Sequence, residues 1–502
     1  MNPSTKPRLL AKLTWAVCAV VLTMGCTVGP HYHPPAPPSV GAYTAGPQPS
    51  ETASSPGPAG VAQHFDSAAD IPAQWWTLFR SPELDRVVRQ ALENSPTLAQ
   101  AMARLKEAQE ESSARTGTTK HPSATGNASV QGEQVNLASF GVPFPNPSPF
   151  ALLNGSVAVS YALDLFGANR RLIESLNAQV DYQSWQLQGA RLMLVGNVVS
   201  TAIRQAELRS QIDIVRQILE LQRQEFDIAR ERNRAGGISQ YDIKIEETAI
   251  AQTRATLPPL EQELDAMNHQ LAVLMGKPPA DAHIENISLD SLHLPEQLPL
   301  SLPSSLVRQR PDIRAAEALL HQASANVGVA TANLYPQIVL SGSIGAVGTS
   351  FTNGGGIWNA GTSLAQPIYN GGALRAEKRK AMAAYEEADS VYRQTVLQSF
   401  REVADALRAI EHDAQTLQAH MEAANQAQSA YDIATQRYSA GGISQLSQLD
   451  AQRQQLQTTL DRTQSAASRY SDCATLLQSL GGGWWNHSPS AATLPNPTTK
   501  SH

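Results

Sequence analysis

Apolar residues recur every three or four positions along two long stretches of the chain, 169–235 and 373–440, which contain no proline. In the second stretch the positions that follow this spacing are Val396, Phe400, Val403, Leu407, Ile410, Ala414, Leu417, Met421 and Ala424. Such heptad spacing is typical of helices that pack as coiled coils. At 1.5 Å per residue, each stretch predicts a helix roughly 100 Å long. Their many Ala, Gln and Ser residues favour a wall of closely packed helices over a globular core.

Alternation with a period of two marks a different kind of segment. Residues 156–163 alternate strictly between small or polar and apolar side chains, which predicts a strand with one apolar face. A weaker strand candidate precedes it, and the second half of the chain repeats the arrangement. Two β-hairpins are therefore predicted, at about 124–166 and 336–368. In the second hairpin, residues 354–356 (Gly-Gly-Gly) are assigned to the loop.

An internal repeat interrupts the helical pattern twice. Residues 226–240 and 431–445 share ten of fifteen residues without a gap, including the identical run Ala-Gly-Gly-Ile-Ser-Gln. The chain is therefore expected to consist of two copies of one unit, each a long helical hairpin that bends at this run. The predicted tips span 235–240 and 440–445.

Each tip residue has an expected part in the bend. The first glycine can take the left-handed conformation that ends a helix, the isoleucine can fold back on the last turn, and the serine can cap the next helix. Ordinary interhelix loops would explain the glycines and serines but not the repeated Ile and Gln, so a further role is expected. The tip residues are Gly236, Gly237, Ile238 and Ser239, and Gly441, Gly442, Ile443 and Ser444.

The first 25 residues have the pattern of an export signal. Three basic residues precede an apolar run, 13–22, that is too short to span a membrane, and Met24-Gly25-Cys26 follows. This predicts a lipoprotein signal peptide at 1–25 and an N-terminal diacylglycerol and acyl lipid on Cys26, although Thr23 stands where Leu is usual. Plain cleavage that leaves Cys26 free is the alternative.

Composition defines the segments around the repeats. Residues 26–72 are rich in Pro, Ala, Gly and Ser, and are expected to run extended as a tether. Folded structure is expected to begin near Trp75, with a first repeat at 73–295, a second at 296–485 and a disordered tail at 486–502. His31 and His33 stand among prolines without other ligands nearby, so they are expected to be solvent-exposed.

Charge, cysteine content and motifs exclude several classes of function. The net charge is −6, and the chain has no dense basic run, which disfavours a nucleic-acid partner. Of the three cysteines, Cys18 leaves with the signal and Cys473 then has no disulfide partner. The chain contains no Gly-x-Ser-x-Gly elbow, phosphate-binding loop or metal-ligand spacing. We therefore expect neither an enzyme nor a cofactor or metal site.

The strand count places a condition on any membrane role. Four strands cannot close a barrel, and an open sheet in lipid leaves backbone groups unpaired. If these strands span a membrane, several chains must pool them. A small soluble sheet is the alternative, although aromatic residues near the strand ends favour the membrane.

Short motifs along most of the chain resemble the outer-membrane factor family, the TolC-like channel subunits of tripartite efflux systems, and within it the lipoprotein (NodT-type) branch. The segment after Cys26 has His31 where the family usually has Asp. The motifs are Cys26-Thr-Val-Gly-Pro30, Trp76-x-x-Phe79, Pro82-Glu-Leu84, Asn94-x-Pro96, Tyr161-Ala-Leu-Asp-Leu-Phe-Gly167, Arg310-Pro-Asp-Ile313, Gln366-Pro-Ile-Tyr-Asn-Gly-Gly372, Leu449-Asp-Ala-Gln452 and Leu480-Gly-Gly-Gly-Trp484.

The resemblance implies a mainly α fold with a β-barrel part. It implies a homotrimer in the bacterial outer membrane, with an α-barrel tunnel in the periplasm and a shared twelve-stranded transmembrane β-barrel. The tips would form a closed iris at the periplasmic end and meet a periplasmic adaptor protein. An inner-membrane pump of the RND type would drive small toxic compounds, including antibiotics, through this passive duct. A conduit for secreted proteins and a periplasmic coiled-coil scaffold are the alternatives.

One position departs from the family. Many relatives have an acidic residue near Ile443 that forms a charged ring at the constriction. Here both copies carry isoleucine, Ile238 and Ile443. We therefore expect an apolar gate instead of a cation-selective one.

Overall fold

The structure, a computed structural model, describes residues 27–36, 38–46, 49–66, 69–134, 136, 141 and 148–486. The predicted signal peptide, Cys26 and residues 487–502 lie outside the described residues.

Each half of the chain contains two shorter helices, a β-hairpin and two longer helices, as the repeat predicts. In the first half the elements are α1 (Pro82–Asn94), α2 (Pro96–Lys120), β2 (Ser123–Glu133), β3 (Phe150–Leu163), α3 (Ala168–Arg234) and α4 (Gln240–Leu274). In the second half they are α5 (Pro303–Gln309), α6 (Pro311–Ala332), β5 (Gln337–Gly348), β6 (Gly354–Ala365), α7 (Ala373–Ser439) and α8 (Gln445–Ser479). Two short strands, β1 (His64–Asp66) and β4 (Gln297–Pro299), pair in parallel.

The two predicted long helices are confirmed within one residue at each end. Helices α3 and α7 each contain 67 residues, which corresponds to roughly 100 Å of helix. The absence of proline and the continuous heptad spacing explain why neither helix breaks. Among the described residues, no helix combines the length and the apolar character that crossing a membrane requires.

The chain divides into two compact units. The first lies within residues 1–35, 103–184 and 315–393, and the second within 36–102, 185–314 and 394–502. Each unit therefore draws on both repeats.

The first unit holds an antiparallel four-stranded sheet in the order β2-β3-β5-β6. One row across it runs from Gly126 through Val157 and Ile344 to Trp358, each residue opposite the next. The three large side chains of this row are exposed by 50%, 68% and 78% in the single chain. Among the described residues, β2 and β6 pair on one side only. The sheet is therefore open at both edges, and its apolar row is not covered by the chain itself.

Both hairpins lie where they are predicted, but the assignment of residues 354–356 to a loop is wrong. Strand β6 starts at Gly354, and Gly354, Gly355 and Gly356 lie opposite Gly348, Val347 and Ala346. Backbone pairing needs only the N–H and C=O groups that glycine also has, so the neighbouring strand overrides a local turn signal. Strand β6 ends at Ala365, before Pro367, which has no N–H to donate.

The second unit has an aromatic and aliphatic core around the start of α1. Trp75 and Phe79, in a 3₁₀ turn, are fully buried, and Trp76 donates a 2.9 Å hydrogen bond to Asp85. Ser81 caps α1 by accepting a hydrogen bond from the N–H of Leu84 at 3.3 Å. Helix α1 therefore begins where a capping serine is followed by proline in the first turn.

Part of the expected tether is folded instead of extended. Residues 49–66, which we call the strap, contain the buried side chains of Thr52 and Gln63. The buried guanidinium of Arg469 on α8 donates to the carbonyl oxygen of Ala59 at 2.7 Å and to Gln63 Oε1 at 3.1 Å. Hydrogen bonds to polar side chains and backbone carbonyl groups hold the strap in place. The pattern of apolar residues in the sequence does not predict such contacts.

Candidate functional site: the two helical hairpin tips

The first tip closes α3 with a left-handed glycine. Gly236 has φ 77°, and its N–H donates to the carbonyl oxygen of Asn233 at 2.9 Å. The N–H of Gly237 donates to the carbonyl oxygen of Arg232 at 2.8 Å. This is the Schellman arrangement, which satisfies carbonyl groups that the end of a helix leaves free.

The second tip repeats this geometry. Gly441 has φ 75° and donates to the carbonyl oxygen of Tyr438 at 2.9 Å, and Gly442 donates to that of Arg437 at 2.7 Å. The predicted bend is therefore confirmed in both copies, at equivalent residues.

The serines cap the helices that follow, but the two caps differ. Ser239 Oγ accepts a hydrogen bond from the N–H of Asp242 at 3.3 Å, and Asp242 Oδ2 accepts one from the N–H of Ser239 at 2.9 Å, which completes a capping box. Hydrogen bonds from Ser239 lower the pKa of the exposed Asp242 carboxyl. In the second tip, Ser444 Oγ accepts from the N–H of Ser447 at 3.2 Å. Ser447 stands where the first copy has Asp242, so the reciprocal carboxylate bond exists only in the first tip.

The repeated isoleucines are half-buried, and the residues beside them differ between the copies. The carbonyl oxygen of Ile238 accepts a 3.0 Å bond from the amide of Asn233. Tyr438 occupies the equivalent position before Ile443, and its hydroxyl lies 3.3 Å from Gln445 Oε1.

Charge separates the tips more than backbone geometry does. Residues 227–244 include seven charged side chains, whereas the equivalent residues 432–449 include two. The first tip is therefore rich in charged side chains, and the second has few.

Below the tips, α3 and α8 pack through apolar side chains. One cluster joins Ile214, Ile218 and Leu221 of α3 to Leu449 and Leu456 of α8. Because α3 belongs to the first hairpin and α8 to the second, this contact links the two hairpins below their tips.

A buried carboxyl group lies beside this cluster. Glu225 on α3 is 4% exposed, and its Oε1 has no hydrogen-bond partner. Burial raises the pKa of Glu225 to about 7; the charge of Arg453 opposes the rise, and the charges of Glu246 and Asp450 add to it. Sequence reasoning missed this group. The only signal was a glutamate within a heptad stretch, next to the apolar positions that face the core.

The predicted lipid site, Cys26, lies outside the described residues, but the segment that follows it is placed in the first unit. The N–H of Val28 donates to the carbonyl oxygen of Phe166 at 3.2 Å, directly after β3. Tyr32 stacks on His321 with ring centroids 4.3 Å apart. The chain next to Cys26 is therefore held at the end of β3.

Other candidate chemistry gives no site among the described residues. Within that part of the chain, no three His, Cys, Asp or Glu side chains group as metal ligands. His31 and His33 are exposed, as expected. Burial raises the pKa of the Cys473 thiol to about 12, and Cys473 is a packed residue of α8.

Known proteins resemble the chain over most of its length. It is 32% identical to the pyoverdine export outer membrane protein OpmQ of Pseudomonas aeruginosa over 427 residues, 83% of this chain and 88% of that protein. It is 28% identical to nodulation protein T of Rhizobium leguminosarum bv. trifolii over 459 residues, 89% of this chain and 91% of that protein.

The fold has solved counterparts. The structure of the outer-membrane channel OprN matches with a TM-score of 0.80 and 28% identity, over 91% of this chain and all of that one. The TolC-like fold and the outer-membrane location expected from the sequence are confirmed. The family model described as outer membrane efflux protein matches residues 87–277 and 302–482, one segment in each repeat. With both repeats matched, the chain belongs to the outer membrane efflux protein family.

Proposed function

We propose that the chain is the channel subunit of a tripartite efflux pump, a homotrimer that gives small toxic compounds a passive exit through the outer membrane. The observation that carries this proposal is the open four-stranded sheet, whose apolar row includes Val157, Ile344 and Trp358.

Hydrogen-bond closure is the physical reason for pooling strands between copies, and the number three is what the family resemblance implies. In lipid, the free edges of β2 and β6 leave backbone N–H and C=O groups without partners, at several kcal/mol per group. Three copies that pair β2 of one with β6 of the next make a closed cylinder of twelve strands. The same closure turns the exposed apolar row toward lipid, which removes its cost in water.

The long helices supply the second part of the channel. Helices α3 and α7 are each long enough to reach far beyond the sheet, and their Ala-, Gln- and Ser-rich faces allow close packing between copies. We assign the tips to the periplasmic end, where they close the duct and open by an iris-like movement. The exposed glycine turns are the surface that an adaptor protein contacts, and an RND-type inner-membrane pump supplies the energy.

Cys26 is proposed to carry the lipid anchor. The contacts of Val28 and Tyr32 hold the following segment at the end of β3. That position lets acyl chains on Cys26 enter the membrane next to the sheet.

Paired cysteines test the pooling of strands. One cysteine is placed on β2, at Thr125, Asn127 or Ser129, and one on β6, at Asn359, Gly361 or Ser363. Cys473 is buried and does not interfere. Oxidation is expected to give covalent dimers and trimers for the pairs in register. Single-cysteine variants on β2 or on β6, which lack one member of each pair, are the control. Cross-links confined to single chains would contradict the proposal.

Drug susceptibility tests the exit role. A strain that lacks this gene, scored against a panel of toxic compounds, is expected to recover resistance with the wild-type gene. Normal resistance without the gene would contradict the role in efflux of toxic compounds.

Export of a siderophore is the second candidate, because the relative OpmQ is named for pyoverdine export and is 32% identical. Iron-starved cultures of the deletion strain would then retain a chelator in the periplasm. Extracellular chelator at wild-type level would exclude this candidate.

A further inference from the structure

A group of basic side chains lies at the start of α7, just after the sheet. Arg375, Lys378, Arg379 and Lys380 fall within the first eight residues of the helix, with Glu377 as the one acid among them. The group is too short to bind a nucleic acid, and the roles proposed above leave it unused.

Three of these cations share one helix face, and none of the three has an ion-pair partner among the described residues. Positions 375, 378 and 379 are separated by three and four residues, so they are neighbours on the surface of α7. Arg375 and Arg379 are exposed and Lys378 is half-exposed. Lys380 differs, because it pairs with Glu377 at 3.5 Å.

The equivalent helix start in the first repeat is internally neutralised. Arg170 pairs with Asp164 at 3.2 Å, and Arg171 pairs with Glu174 at 2.7 Å. Ion pairs within the chain therefore explain the two arginines of the first repeat. They do not explain the cations of the second repeat, which are exposed or half-exposed in the single chain.

The surroundings identify the kind of partner. Between β6 and α7 stand Ile368 and Tyr369, which are 97% and 90% exposed. Lys120 and His121 precede β2. Strands β2 and β6 run in opposite directions, so these two residues lie at the same end of the sheet as the end of β6. Along the chain, exposed apolar and aromatic side chains come first and cations follow. Membrane proteins show the same order at the edge of the bilayer, where apolar residues contact the hydrocarbon and cations contact the headgroups.

We propose that Arg375, Lys378 and Arg379 bind the phosphodiester groups of anionic phospholipids in the leaflet that borders the base of the sheet. The inference rests on the proposed function, in which the sheet spans the membrane. Guanidinium groups suit a phosphodiester because two N–H donors can face two oxygens, and a lysine adds a point charge. Bound lipid fixes the depth of the sheet in the membrane at the point where α7 begins.

Lipid binding to the full-length protein in nonionic detergent tests the proposal. The probe is fluorescent phosphatidylglycerol, and phosphatidylcholine with the same label measures binding that does not depend on charge. The variant is Arg375→Gln/Lys378→Gln/Arg379→Gln. At about fivefold per cation near a membrane surface, its affinity for phosphatidylglycerol is expected to fall roughly a hundredfold, while phosphatidylcholine binding stays the same.

A matched triple variant controls for net charge. Arg104→Gln/Lys106→Gln/Arg401→Gln removes three exposed cations elsewhere, and it is expected to bind phosphatidylglycerol like the wild type. Equal loss in both variants, or no loss in either, would overturn the proposal. Displacement of the probe by millimolar inorganic phosphate would also overturn it, because the site would then be a free-anion site.

Two further measurements keep the outcomes separate. Size-exclusion chromatography follows assembly, and dissociation of the first variant into single chains would assign these cations to a subunit contact and overturn the proposal. Resistance of the wild type to alkaline extraction from pure phosphatidylcholine vesicles tests membrane insertion alone. If the protein is extracted, the proposed channel fails; if it resists extraction but shows no preference for phosphatidylglycerol, only the lipid site fails.

Discussion

Arg469 Nη1 donates a 2.7 Å hydrogen bond to the carbonyl oxygen of Ala59, a residue 410 positions earlier in the chain. Its Nη2 donates to Thr52 Oγ1 and to the carbonyl oxygen of Val61, each at 3.2 Å, and to Gln63 Oε1 at 3.1 Å. The side chain is almost completely buried, and burial lowers the pKa of its guanidinium. One cation thus satisfies four oxygen atoms of the strap.

Replacement of this arginine is expected to release the strap. Arg469→Met keeps much of the volume but removes a donor from the strap oxygens of Ala59, Val61 and Gln63, at a cost of about 3 kcal/mol in the free energy of unfolding. Thr52 Oγ1 still accepts a 3.0 Å hydrogen bond from the N–H of Gln63. Arg469→Lys restores little, because an ammonium cannot reproduce the planar fork. Thermal melting in detergent measures the loss, and protease cleavage within residues 49–66 shows where it occurs. Arg401→Met, at an exposed site, is the control; equal melting temperatures for both methionine variants would show that the strap does not depend on Arg469.

The tip glycines are expected to differ in tolerance. Gly236 has φ 77°, whereas Gly237 is not in the left-handed region. Gly236→Ala should therefore lower the free energy of unfolding by about 1 kcal/mol. Gly237→Ala should cost less, because a Cβ there would lie 3.4 Å from the carbonyl oxygen of Arg232, close to ordinary contact. Melting of the two variants provides the comparison, and Gly441→Ala and Gly442→Ala repeat it in the second tip. Greater loss in Gly237→Ala would contradict the turn geometry.

The elements that the sequence predicted correctly are those whose signals are local. Heptad spacing determined α3 and α7 within one residue at each end, and Gly-Gly-Ile-Ser determined both turns and both caps. These features depend on residues within one or two turns of each other, so the local sequence is enough to predict them.

The features that were missed depend on distant partners. The start of β6 at Gly354 is set by pairing with β5, the strap by Arg469, and the burial of Glu225 by packing of α3 against neighbouring helices. No local sequence pattern distinguishes a glutamine in the strap that is hydrogen-bonded to a buried arginine from a glutamine that is exposed to water. The tip roles in gating and adaptor contact stay predictions, since backbone geometry explains the glycines and serines without them.

Stability is expected to depend on pH through Glu225. Its folded pKa of about 7 lies above the ordinary value of 4.5, so the folded chain holds this proton more tightly than the unfolded chain. The stabilising contribution is complete below about pH 4.5 and is lost as pH rises through 7. Glu225→Gln keeps the neutral form and should be more stable than the wild type at pH 8, on the order of 1 kcal/mol.

The difference between variant and wild type isolates this group. Burial and a hydrogen bond with Asp413 raise the pKa of Asp472 to about 7 as well, so the wild type alone would report both carboxyls. Melting temperatures between pH 4 and pH 9 for the wild type, Glu225→Gln and the exposed control Asp227→Asn give the comparison. A wild-type minus Glu225→Gln difference that is constant over this range would show that the pKa of Glu225 is the same in the folded and the unfolded chain, which contradicts the prediction.

Ion selectivity tests whether the second tip lines the constriction. Ile443→Asp places a carboxylate in each copy of a nearly neutral turn, and in a trimer three such charges would surround the axis. Cations should then be favoured over anions, because a ring of like charges in a narrow pore concentrates counter-ions. Reversal potentials across planar bilayers under a salt gradient measure the permeability ratio.

Ile433→Asp is the matched control, an exposed isoleucine on α7 about two turns before the tip. It introduces the same charge outside the turn and should leave the permeability ratio at the wild-type value. Because screening confines the effect of a charge to about 10 Å at 0.1 M salt, only a carboxylate next to the narrowest part of the pore can change selectivity strongly. An Ile443→Asp ratio equal to that of Ile433→Asp would therefore place the constriction away from the tip.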